Sequence, residues 1–159
     1  MSKQQKELIK SLKELLAGGN AHATLDDAIE GLPKELRGAV PENMPYSIWQ
    51  LVEHIRITQW DILEFSRDPK HKSPSWPDEY WPKDAAPPSE KAWKETLDKI
   101  KSDNKEFIKL LEDPEADLFA PFPHGDGQHL LREAILIGDH TSYHTGEIIV
   151  IRRLLGAWK

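Results

Sequence analysis

Asp139-His140-Thr141-Ser142-Tyr143-His144-Thr145-Gly146-Glu147 lies inside an apolar run that extends from about Leu130 to Leu155. Ala134, Ile137, Thr141, His144, Ile148, Ile151 and Leu155 step by three and four, the periodicity of a helix with one buried stripe. On such a helix His140 and His144 project from one face, one turn apart, and a metal ion can sit between them. Two imidazoles are too few for a firmly held zinc-type ion, which takes three or four protein ligands. Taken alone, the pair is equally compatible with a hydrogen-bonded core element or a half-exposed helix face. A third ligand has to come from elsewhere in the chain.

Upstream, Ser47-Ile48-Trp49-Gln50 has the form of a capping box, a hydroxyl followed three residues later by a glutamine that can reach back to the cap. Ile48, Leu51, Ile55, Thr58, Ile62 and Phe65 then step by three and four until Asp68-Pro69, and His54 lies beside that seam. Trp93, Leu97, Ile100, Asn104, Phe107 and Leu111 predict a further long helix from about Ser89 to Glu112, closed by Asp113-Pro114. Leu8, Ile9, Leu12, Leu15 and Leu16 predict a first helix from about Lys3 to Ala17 that stops at Gly18-Gly19-Asn20. Thr24 caps a short piece through Gly31, with Asp26 and Asp27 in its first turn, and Pro33, Pro41 and Pro45 break up the connection that follows. Between Asp68 and Ser89 stand six of the twelve prolines with Trp76, Tyr80 and Trp81. That composition forbids a regular helix and is too aromatic for a loose linker, so it reads as an ordered crossover placed to cover the bundle's mouth. Long connections of this kind join parallel neighbouring helices.

No β-type alternation or internal repeat accompanies these helices, so the fold class is all-α: a four-helix bundle with one or two long crossover connections. The 159 residues suit one domain spanning 1–159. A net charge of −6 with both signs interspersed offers no basic stripe for phosphates, which argues against nucleic-acid binding. No apolar run reaches the ~18 uncharged residues of a membrane span, and the amino-terminal residues lack the apolar core of a signal peptide, so a cytoplasmic location is expected. With no cysteine, any metal has to be held by His, Asp or Glu. Tryptophans at 49, 60, 76, 81, 93 and 158 are many for this length and serve as core or interface mass or line a pocket.

If the second and last long helices pack side by side, His54 joins His140 and His144 to give three neutral imidazoles and one open position, the arrangement of a catalytic zinc. In Trp49-Gln50-Leu51-Val52-Glu53-His54-Ile55, in Asp139 to Ile149 and in the closing Arg152-Arg153-Leu154-Leu155-Gly156-Ala157-Trp158, the chain resembles the DinB family of the DinB/YfiT-like metalloenzyme superfamily. The resemblance extends over nearly the whole chain. It implies an up-up-down-down bundle, often a homodimer, holding a divalent ion, zinc or nickel, on three histidines that match His54, His140 and His144. It also implies hydrolysis or transfer of a low-molecular-weight thiol co-substrate as the chemistry. The competing reading is a non-catalytic, metal-containing dimer that binds a small molecule.

Acceptors for the outer ring nitrogens are sought among Glu53, Asp61, Asp139 and Glu147 by proximity. Asp61, two turns from His54, is also the candidate for a metal contact or proton transfer. His124 and His129 bracket Asp126 in a glycine-rich turn and read as turn and helix start rather than as a general acid. Tyr143 faces another side of its helix. His22 and His71, in polar connections, carry no assigned role.

Overall fold

The computed structural model describes residues 1–19 and 21–158, so Asn20, the last residue of the expected stop after the first helix, lies outside the described residues. Five α-helices and no strand occur among them. Helix α1, Lys3–Leu16, is capped by Ser2, and α2, Leu25–Ile29, by the reciprocal Thr24 and Asp27 capping box. Helix α2 ends before Gly31 because Glu30 already has an extended ψ of 132° and Gly31 takes a φ of 63°. A single 3-10 turn, Lys34–Leu36, forms in the proline-broken stretch where no regular element was expected.

Helix α3, Ile48–Arg67, begins at the predicted Ser47 and Gln50 box, and Ser47 Oγ also donates to the carbonyl of Ala85 in the crossover. Helix α4, Glu90–Glu112, is capped by Ser89, and α5, Leu130–Leu154, by His129. None of the helices is long and apolar enough to cross a membrane.

Side-chain pairs fix the directions. Glu53 meets Thr96 and Gln59 meets the Ile100 carbonyl, so α3 and α4 run parallel. Gln5 meets Ala116 while Leu16 meets Asn104, so α1 opposes α4. His54 meets His140 while Phe65 meets His124, so α5 opposes α3. The helical bundle is the expected one, but with α1 up the long helices run up, down, down, up rather than up, up, down, down. The physical reason is that the parallel consecutive pair is α3 and α4, and the crossover of residues 68–89 is what returns the chain to the starting end.

Two apolar clusters hold the bundle. One joins Ile9, Leu12 and Leu16 of α1 to Ile62, Leu63, Phe107, Leu111, Leu130 and Ile137. The other joins Ile48, Leu51, Val52 and Ile55 to Trp93, Ile100, Ile148 and Ile151, with Ala28 and Leu32. Between the two clusters lie buried polar side chains, Gln59 and Asp61 on α3, Asp103 on α4, and His144 and Thr145 on α5. The bundle therefore has a polar waist, and His140 and His144 stand at it, with His54 at its edge beside Ile55.

The crossover packs along α3 rather than arching free of it. Besides the Ser47 bond, Gln50 donates to the Pro82 carbonyl, and Gly38 approaches so closely that an added Cβ would meet Ala86 Cβ at 2.5 Å and its Cα at 2.9 Å. Because one of those contacts is backbone, Gly38→Ala is expected to destabilise the protein by about 1–3 kcal/mol, the usual cost of overpacking. Urea unfolding followed by circular dichroism measures it, and an unchanged midpoint would show that the crossover end relaxes freely.

Candidate metal centre

Helix α3 carries His54 two turns past its cap, and α5 carries His140 and His144 at i and i+4. Because α3 and α5 pack antiparallel, the three imidazoles meet: one ligand atom from each lies within 4.8 Å of the others. His54 Nε2 and His140 Nε2 are 3.0 Å apart, and the ring centroids are separated by 4.5–4.8 Å. Nitrogens bound tetrahedrally to one ion at ~2.0–2.1 Å lie roughly 3.3 Å from each other, so the cluster needs only small side-chain movements to share an ion. His54 and His144 are buried, whereas His140 is half-buried.

Two ring orientations are set by acceptors. A carbonyl oxygen only accepts, so the 2.8 Å contact between His54 Nδ1 and the Tyr80 carbonyl puts the proton on Nδ1 and leaves the Nε2 lone pair free. His144 Nδ1 donates in the same way to Glu147 Oε2 at 2.6 Å. This is the arrangement that orients a ligating imidazole and raises its basicity toward a metal. Among the described residues the one polar partner of His140 is His54, so in the metal-free protein His140 Nε2–H donates to the bare His54 Nε2.

Burial, with a smaller contribution from repulsion by His144, pushes His54 down to about 4, against the opposing effect of its bond to Tyr80. Burial followed by repulsion from His144 and His54 pushes His140 down to about 3. Both are therefore neutral at pH 7, the state a metal ligand requires. The donor set, its spacing and the tautomers of His54 and His144 fit a divalent transition ion.

Of the acidic residues expected behind the histidines, Glu147 alone contacts one. Asp61 is buried but turned toward the crossover, where Oδ2 accepts from the Tyr80 hydroxyl at 2.6 Å and Oδ1 pairs with His71 Nε2 at 2.7 Å. Its oxygens are thus occupied by crossover donors, and it is not a member of the ligand cluster. Glu53 accepts from Arg56 and Thr96 instead of from His54. Asp139 is exposed and holds neither imidazole.

His124 donates to the Phe65 carbonyl, and His129 accepts the Arg132 backbone N–H as the α5 cap, so both close helix ends. His22 is exposed beside the Ala23 carbonyl, and Tyr143 is 65% exposed with its ring 5.0 Å from His144.

Three residues escaped the sequence reading. Tyr80 contributes a backbone carbonyl, which leaves no side-chain signature. Trp81 stacks on His54 at 3.8 Å with an interplanar angle of 6°, and Tyr46 covers the other face of Trp81 at 3.9 Å. His71 reaches Asp61 from an irregular segment whose path no periodicity reveals. The one available signal was the density of aromatic residues in the crossover.

A family model described as the DinB superfamily matches residues 19–148 of the chain. No curated protein and no solved structure matches it.

The depressed histidines give the metal-free protein a pH dependence of known sign. An unfolded histidine titrates near 6.5, whereas folded His54 and His140 stay neutral to about 4 and 3. Stability is therefore fully present above pH 7 and falls as the pH drops below 6.5, because the unfolded chain gains protons that the fold refuses. Each histidine adds at most about 1.4 kcal/mol per pH unit to that slope. Urea titrations of chelator-treated protein between pH 7.5 and 5 should show the decline, and flat stability over that range would contradict the burial of these rings.

Proposed function

Because the chain belongs to the DinB superfamily, we propose that His54, His140 and His144 hold one divalent transition ion and that the protein is a metal-dependent enzyme acting on a small molecule. The observation that carries this is the convergence of three imidazoles, two with the outer nitrogen already committed to a carbonyl or a carboxylate. Zinc or nickel is the proposed ion, since imidazole suits both. When bound, such an ion supplies a Lewis acid that brings a water or a thiol toward ionisation at neutral pH.

The chain's own residues do the rest. His54 is held in place by Tyr80 and shielded on one face by Trp81, while the Glu147 carboxylate makes His144 the stronger electron donor. Hydrolysis and transfer of a low-molecular-weight thiol both suit this centre. In the second case the sulfur belongs wholly to the co-substrate, because the chain has no cysteine.

A second copy of the chain is the proposed macromolecular partner. Ile135, Tyr143, Val150 and Leu154 are all exposed within one arc of α5, and Gly146 in the same arc has no neighbour within 4 Å of an added Cβ.

Elemental analysis of untagged protein is expected to find about one equivalent of a divalent transition metal, lost in both His54→Ala and His144→Ala. Glu147→Gln should weaken metal affinity by about 10–100-fold. No metal after zinc and nickel loading would remove the enzyme reading. In a cobalt-substituted sample, spectra showing an exchangeable water support catalysis, whereas a fourth ligand from a protein carboxylate favours the non-catalytic binding dimer.

A further inference from the structure

Tyr80 touches α3 at two points. Its carbonyl takes the His54 Nδ1–H, and its hydroxyl donates to Asp61 Oδ2. His54 and Asp61 are seven residues apart, two helical turns or about 10 Å along the axis. One tyrosine thus bridges the ring that carries a ligand nitrogen and a buried carboxylate that reaches no ligand. His71, ten residues past Asp61 in the chain, pairs with the other carboxylate oxygen, and both side chains are about 90% buried.

Trp81 follows directly and lies flat on His54, so two consecutive crossover residues fix that imidazole by its edge and by its face. The crossover has no helical hydrogen-bond ladder to hold the Tyr80 peptide in place. The Tyr80 N–H closes a local turn on the Pro77 carbonyl, and the Tyr80 hydroxyl bond to Asp61 is the side-chain anchor that ties the residue to α3.

We infer that Asp61 is a positioning residue for His54: by holding the Tyr80 hydroxyl, and braced by His71, it fixes the peptide whose carbonyl sets the His54 tautomer. The consequence for metal affinity rests on the three-histidine reading above. The tautomer of His54 is a property of the metal-free protein and is open to measurement by itself.

The test uses full-length protein and two variants, Tyr80→Phe, which deletes one hydroxyl, and Asp61→Leu, which keeps the shape and removes both acceptors. Nitrogen-15 NMR of metal-free wild type is expected to show His54 as a single Nδ1–H tautomer, and each variant a mixture of tautomers. Zinc affinity, measured by chelator competition, should fall about 10–100-fold in each single variant. The double variant should fall no further than the weaker single one, because both act through one bond.

Gly38→Ala, which perturbs the crossover without touching this network, should leave tautomer and affinity unchanged, separating positioning from loss of stability. A single Nδ1–H tautomer persisting in both variants, or additive losses in the double variant, would overturn the inference. Failure of the wild type to bind either zinc or nickel would defeat the proposed function, while the tautomer measurement would still decide the role of Asp61. If Asp61→Leu does not fold, Tyr80→Phe carries the test.

Discussion

Three imidazoles brought within 4.8 Å of one another inside a helical bundle are an electrostatic constraint before they are a site. Buried rings this close cannot all be protonated, and neutral rings need a donor or an ion for each inward lone pair. The structure meets part of that demand from the protein: a carbonyl and a carboxylate take the outer protons of His54 and His144, and the His140 proton bridges to His54. What remains is a convergence of nitrogen lone pairs for which one ion is a better partner than a shared proton.

That constraint explains the crossover. A parallel α3 and α4 pair demands a long return connection, and such a connection could have run through solvent. Here it lies along α3 and supplies what the helix cannot, since helical carbonyls are already engaged in the i to i−4 ladder. The Tyr80 carbonyl, outside any helix, is free to accept the His54 proton. The proline content that excludes helix from residues 68–89 is therefore what makes a second-layer acceptor available next to α3. Trp81 completes the arrangement by covering the apolar face of the same ring while Tyr46 covers Trp81.

The helices, their caps and the three histidines were legible because they depend on local periodicity and on residue type. Ser47 with Gln50, and the steps from Ile48 to Phe65 and from Ala134 to Leu155, carry that information in the chain itself. The antiparallel contact of α3 and α5 is only a condition in the sequence, and the order of helix directions is not written there, because direction depends on which long connection crosses the bundle. The outer layer was largely illegible. Asp61 shares the His54 face two turns away, so helix geometry alone aims it at the same centre. Donors from an irregular segment, Tyr80 and His71, turn it aside. Glu147 was accessible to reasoning because it lies on the same helix as its partner, three residues on.

The distribution of the apolar core bears on what a metal would do here. In small metal-dependent folds the ion replaces a core, and its removal unfolds the chain. In this bundle Phe107, Leu111, Leu118 and Leu63 are fully buried at one end, and Ile48, Leu51, Ile148 and Ile151 at the other, on either side of the polar waist. Those clusters tie together α1, α3, α4 and α5 without any contribution from the histidines. The apolar packing of the bundle thus draws on residues other than the three histidines, unlike small domains in which the ion stands in for a core.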